Sequence, residues 1–172
     1  MLSIFQVRLF RTDDFVTGFN LAALTHGHII ITDEDLQKRY DDYGKTIIKS
    51  EANLMGVLAT EAAYREGHEW LEALKNVITD NYHYAKEALQ TAFPEIEVAP
   101  LQGTYLMFVD LNAVLKGMNT TEFMQKKCGV AIDYGEWFGA NYHGYIRINL
   151  ATKPNFVEQT VEAIVREARL RQ

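Results

Sequence analysis

The sequence predicts an α/β fold, specifically an α+β layer sandwich in which a small sheet is covered by helices. Three observations predict it. Apolar residues recur at helical spacing between Leu54 and Ala92, and the period drops to two after Pro94. The segments then run helices, strand, strand, helix, strand, strand, helix, an order that a layered sheet-and-helix domain accommodates. With 172 residues, 48% of them apolar and 23% charged, the chain suits one ordinary domain, or a compact domain with a helical extension.

The elements follow in order. Leu2, Ile4, Phe5, Val7, Leu9 and Phe10 arrive without a turn or cap, as in a short strand or helix or at the ragged edge of a truncation. A β-branched run covers residues 29–31. Thr32 or Asp33 then caps a helix from Glu34, because a side-chain oxygen accepts the free amides of a first turn, and Gly44 breaks the pattern. Ser50 and Asn53 form half a capping box before the stripe Leu54, Val57, Leu58 and Ala62, and Gly67 ends that helix. A second stripe, Trp70, Leu71, Leu74, Val77, Ile78, Asn81, Ala85, Ala88, Leu89 and Ala92, gives a long helix stopped by Pro94, which has no amide to donate. Such a length bridges layers or domains.

Residues 95–98 alternate polar and apolar, as a half-buried strand does. Gly103 marks a turn, and residues 104–111 read as a central strand. Asn119 leads a helix over residues 120–127, with Glu122 placed to return a capping bond, and Gly129 closes it. Strands are expected over residues 130–133 and 145–150. The last helix opens at Pro154 and carries Phe156, Val157, Val161, Ile164, Val165 and Ala168 on one face.

Charge and cysteine usage bound the function. A formal net charge of -6 argues against nucleic acid and anionic membrane as general partners, since both require a dense basic face. No apolar run reaches membrane-helix length, and the N-terminus lacks a signal-peptide pattern. A single cysteine, Cys128, suits a reducing cytoplasm and reads as a buried structural thiol.

The loop over residues 134–144 carries Gly135, Gly139 and Gly144, and leads into Arg147. A charge within an apolar strand costs on the order of several kcal/mol unless paired, so Arg147 should face a carboxylate. That partner is either an internal Asp or Glu or the carboxylate of a substrate, gripped by the guanidinium fork. Asp133 and Glu136 read as a solvated loop rim or as an acid/base pair. His26 and His28 lack a third ligand at a metal-binding interval, and His68, His83 and His143 are scattered.

Further stretches have a family likeness. Residues 61–67 (EAAYREG), Trp70-Leu71 and Asn81 resemble the region after the active-site lysine in the MalY/PatB group of C–S lyases, which are cystathionine β-lyase-like enzymes. These are pyridoxal-phosphate enzymes of fold type I in the class I and II aminotransferase superfamily. Gln102-Gly103-Thr104-Tyr105-Leu106, the 135–139 loop and Arg147-Ile148-Asn149-Leu150-Ala151 are similar to later motifs of that group, so the resemblance runs from about Phe19 to the C-terminus. It implies an aminotransferase-like small C-terminal domain (residues 94–172), a helical connector with the long interdomain helix (51–93) and a remnant of the large cofactor-binding domain (1–50). It also implies that Arg147 binds a substrate carboxylate, and that Gly103, Tyr105 and Asn20 belong to the cleft or its surroundings.

One departure weighs against activity. The resemblance places the Schiff-base lysine just before residues 18–24, where this chain has Thr17, and a hydroxyl forms no imine. Lys45 and Lys49 fall in a polar stretch, whereas a catalytic amine requires a desolvated or cation-flanked site. Upstream elements that would hold the ring and phosphate are not in the sequence. The expectation is a truncated lyase- or aminotransferase-like protein, inactive alone, with no catalytic, cofactor-binding or metal residues of its own, pyridoxal phosphate being the family's cofactor. Either a partner chain supplies the missing half, or the chain is a dimerising interaction module, with residues 2–10 and the long helix as its adhesive surfaces.

Overall fold

A computed structural model describes residues 19–24, 31–47 and 53–171. The predicted elements at residues 2–10 and 29–30, together with Thr17, His26, His28, Lys49 and Ser50, lie outside the described residues. The chain divides into two compact units, Met1–Glu72 and Ala73–Gln172. Among the described residues no helix is long and apolar enough to cross a membrane.

In the first unit a 3-10 turn, Ala22–Leu24, precedes α1 (Glu34–Ile47) and α2 (Leu54–Glu66). Asp33 caps α1 as expected, its Oδ1 accepting the Leu36 amide at 2.7 Å. Gly44 does not break this helix: α1 continues through it to Ile47. A lone glycine in an exposed helix costs only about 1 kcal/mol relative to alanine, which the flanking turns absorb. The cap of α2 is Asn53 rather than Ser50, accepting the Met55 amide at 3.1 Å and donating to Leu24 O at 2.7 Å. The buried face of α2 also differs from expectation. Gly56 and Thr60 are buried, while Leu54, Met55, Val57 and Leu58 are exposed. Small residues allow close approach on that face, and Thr60 folds its hydroxyl back onto Gly56 O at 2.7 Å. Gly67 ends α2 as predicted, and Phe19 lies where any side chain at Gly67 would go.

Helix α3 (His68–Ala92) has the expected length and stops before Pro94. The second unit continues with β1 (Glu97–Val98), β2 (Leu106–Asp110), α4 (Asn112–Leu115), a π-helix (Glu122–Lys127), β3 (Asp133–Tyr134), β4 (Tyr145–Asn149) and α5 (Pro154–Arg169). Asn119 caps the π-helical segment, accepting the Glu122 amide at 3.1 Å. The sheet is antiparallel throughout, in the order β1-β2-β4-β3, so the strand predicted as central is central. The strand expected over 130–133 shrinks to Asp133–Tyr134, because the Val130 amide is used up closing the preceding helix on Met124 O at 2.9 Å.

One face of the sheet makes the core. Met107, Val109, Tyr134, Ile146 and Ile148 are buried with Ala85 and Leu89 of α3, Phe123 and Met124 of the π-helix, and Val157, Val161, Ile164 and Ala168 of α5. Phe156, assigned to the buried stripe of α5, is instead 53% exposed, since it sits in the first turn beyond the sheet's cover. Cys128 is buried, and that burial, with Glu167 beside it and Arg166 opposing, pushes its thiol up to about 11. It is an inert packing residue at neutral pH.

A polar residue locks the helix layer to the end of the sheet. Asn81 is buried in α3, and its amide nitrogen donates to Leu150 O at 2.9 Å and Thr152 O at 3.1 Å. Those two carbonyls leave β4 on the way to α5, so Asn81 fixes where the chain turns. Asn81→Leu leaves the buried Leu150 carbonyl and the part-buried Thr152 carbonyl without this donor and is expected to lower the unfolding free energy by about 1–3 kcal/mol, measured by denaturant titration.

Candidate functional site

The other face of the sheet is half-open. Alternation puts Leu106, Phe108 and Asp110 of β2 and Tyr145 and Arg147 of β4 on that face, each only partly buried. Register sets Arg147 between Phe108 on one side and Asp133 on the other. The carboxylate required by a charge in this strand is therefore supplied from within. Arg147 Nε donates to Asp133 Oδ2 at 3.0 Å, and Nη2 donates to the same oxygen. The guanidinium carbon lies 4.5 Å from the centre of the Phe138 ring, within cation–π range. Phe108 in turn stacks on Tyr145 at 5.1 Å and meets Tyr142 and Phe138 edge-on at 5.4 and 6.2 Å. The side chains of Arg147 and Asp133 are 31% and 38% exposed, so water screens the pair and its contribution is about 0–1 kcal/mol.

The glycine-bearing loop is held over this face by a second carboxylate. Glu136 Oε1 accepts from the buried Thr120 hydroxyl at 3.2 Å and from the Gly144 amide at 3.5 Å, and lies 3.0 Å from His143 Nδ1. Partial burial pushes the Glu136 carboxyl up. Hydrogen bonds from its own amide, Gly144 and Thr120, together with His143, outweigh this and leave it below its ordinary value of 4.5. The far end of the loop is pinned at Asn112, whose side-chain amide donates to Asp110 Oδ1 and His143 O, both at 2.8 Å. Gly144 sits there at φ 83°, where any Cβ would meet the Asn112 side chain at 2.2 Å. Asp110 also raises the Tyr145 phenol, chiefly through their hydrogen bond, with burial next.

Asp133 and Glu136 thus form no acid/base pair: one is bound to Arg147, the other clasps the loop. Gly103 occupies a left-handed turn at φ 73°, with open space around it. Tyr105 is half-buried, and its carbonyl accepts the Leu150 amide at 2.9 Å, extending the β2–β4 ladder. Both lie just before β2, which pairs Leu106 with Asn149 and Phe108 with Arg147. Among the described residues, the side chain of Arg147 meets Asp133 and Phe138 rather than either of them. Asn20, in the first unit, is an exposed turn residue at φ 58°, a conformation asparagine tolerates better than most residues. Phe138, Thr120 and Asn112 were not foreseen. Only the period-two placement of Asp133 beside Arg147 carried a hint of the pairing. Among the described residues no three metal-ligating side chains cluster.

No family model matches the chain. Protein MalY of Escherichia coli K12 is 30% identical over 161 residues, covering 88% of this chain and 40% of MalY. Cystathionine β-lyase PatB of Bacillus subtilis 168 is 30% identical over 134 residues, 76% of this chain and 34% of PatB. Cystalysin of Treponema denticola, whose crystal structure contains pyridoxal 5'-phosphate, matches with a TM-score of 0.82 at 29% identity, covering 91% of this chain and 40% of that one. The chain matches the C-terminal portion of the pyridoxal-phosphate-dependent C–S lyases and aminotransferases.

The chain spans about two-fifths or less of the length of those relatives. Covalent capture requires a desolvated amine, and among the described residues no lysine is buried. Lys45 is 74% exposed and paired with Asp42 at 3.2 Å, and Lys38 is likewise exposed.

The clasp has a pH signature. A depressed carboxyl stabilises the folded loop fully above its unfolded value, and that contribution is lost as pH falls through the folded one. Acidification below about 4.5 should therefore loosen the loop, reported by the fluorescence of the adjacent Trp137. Glu136→Gln is expected to abolish this part of the acid transition while leaving the protein folded at neutral pH.

Proposed function

We propose that this chain is the carboxylate-binding C-terminal part of a pyridoxal-phosphate-dependent C–S lyase or aminotransferase-type protein, and that it does not perform that chemistry alone. One observation carries the reading: Arg147 stands on the half-open sheet face, its guanidinium carbon over the Phe138 ring at 4.5 Å and its side chain partly exposed. A planar fork held this way suits a carboxylate better than a point charge would. Arg147 would grip the carboxylate of an amino-acid substrate, with Gly103, Tyr105 and Asn20 as cleft or supporting residues.

Thr17 supports the second half of the proposal, because it offers no amine where the family resemblance places one. The cofactor supplies the electron sink for elimination or transamination, so a chain that cannot hold it has no path to either reaction. On this reading residues 1–50 belong to a large domain, 51–93 to a connector and 94–172 to the small domain, in a cytoplasmic, dimer-forming protein.

A second reading is favoured by α2. Leu54, Met55, Val57 and Leu58 are 68%, 63%, 37% and 50% exposed, an apolar face that calls for cover. A partner chain carrying the lysine and phosphate site would provide it and complete an active enzyme.

Incubation of the purified protein with pyridoxal phosphate separates the readings. Alone, the chain is expected to give no saturable imine absorbance and, by peptide mapping, only sparse borohydride-fixed adducts scattered over its exposed lysines. A stoichiometric adduct at one lysine of the isolated chain would overturn the proposal. Elimination activity appearing only on mixing with a second chain would favour the partner-completed form.

A further inference from the structure

Backbone pairing dictates the meeting of Asp133 and Arg147, since the two stand directly opposite on β3 and β4. Asp133 Oδ2 receives both the Nε and an Nη2 donor, which is the edge of the fork that a bidentate ligand carboxylate would use. Phe138 covers one face of the guanidinium at 4.5 Å, and the aromatic group of Phe108, Tyr142 and Tyr145 lies alongside. The pair is nevertheless 31% and 38% exposed, so a dissolved anion can reach it, and ion pairs that exposed are weak enough to exchange.

We propose that Asp133 is a built-in competitor for Arg147: it holds the guanidinium in place when no ligand is present and gives way to the carboxylate of an amino-acid ligand, setting a low affinity. The proposal rests on the carboxylate-binding reading of Arg147. Asp133 both occupies the fork and cancels its charge, so a ligand must displace one carboxylate to gain another. An uncharged side chain at 133 removes both penalties. Affinity for small carboxylates should therefore rise when Asp133 is neutralised, the opposite of what loss of an ordinary structural contact produces.

The test follows the Arg147 Nε–Hε NMR signal, assigned by its disappearance in Arg147→Lys, while L-alanine is titrated against chloride at matched ionic strength. Acetate serves as a second probe lacking the amino group. Asp133→Asn is expected to bind L-alanine roughly tenfold more tightly than the unaltered protein, with the amides of Asp133 and Tyr134 still protected from exchange. In the unaltered protein the Asp133 side-chain carboxyl carbon should shift with the same midpoint as Arg147, a readout that does not depend on the variant folding. Saturation at Arg147 with an unmoved Asp133 carboxyl, or with equal or weaker binding in Asp133→Asn, would overturn the competitor role and leave the carboxylate reading intact. No saturable change at Arg147 in either protein would overturn both.

Discussion

A charged arginine in the middle of a four-stranded antiparallel sheet imposes the constraint around which the second unit is arranged. Arg147 stands partly exposed on the open face, where a neighbouring carboxylate steadies it although water screens the pair. The solution is local: β3, only two residues long, brings Asp133 directly opposite, while Tyr134 turns the other way into the core. The same two residues therefore join the sheet edge both electrostatically and by burial. The short β3 then delivers the chain into the loop that places Phe138 against the guanidinium.

That loop is rigid for reasons independent of Arg147. Glu136 ties it to the buried hydroxyl of Thr120, and Asn112 ties its end to Asp110. Two carboxylates that looked interchangeable in the chain thus do different work, one satisfying a cation and the other satisfying loop amides and a hydroxyl. Burial favours neutral carboxyls, so the depression of Glu136 shows that hydrogen bonding prevails there over desolvation. On the reading proposed for Arg147, a guanidinium positioned before the ligand arrives lowers the ordering cost of binding a carboxylate.

Much of the second unit was legible in the sequence because period and punctuation agree there. The α3 stripe, Pro94, the apolar run of β2 and Pro154 all point to one answer, and Arg147 stood out because a charge interrupts an otherwise apolar alternation. The first unit was less legible. In α2 the large apolar residues face outward and Gly56 and Thr60 face inward, so hydrophobic periodicity pointed to the wrong face. Helix capping was similarly ambiguous, since Ser50 and Asn53 are both competent caps and only the geometry at Met55 selects Asn53. Contacts such as Thr120 with Glu136 join residues 16 apart across a loop, and no local pattern encodes them.

The likeness to MalY, PatB and cystalysin covers 88%, 76% and 91% of the chain respectively. Whether Asp133 and Arg147 act as one unit is measured most directly by a double-mutant cycle on stability, combining Asp133→Asn with Arg147→Met. Coupling of up to about 1 kcal/mol, falling with added salt, is the predicted result for a partly exposed pair that anchors β3. Additive effects, equal within about 0.3 kcal/mol at low salt, would show that β3 is held without the pair and would contradict the role assigned to it.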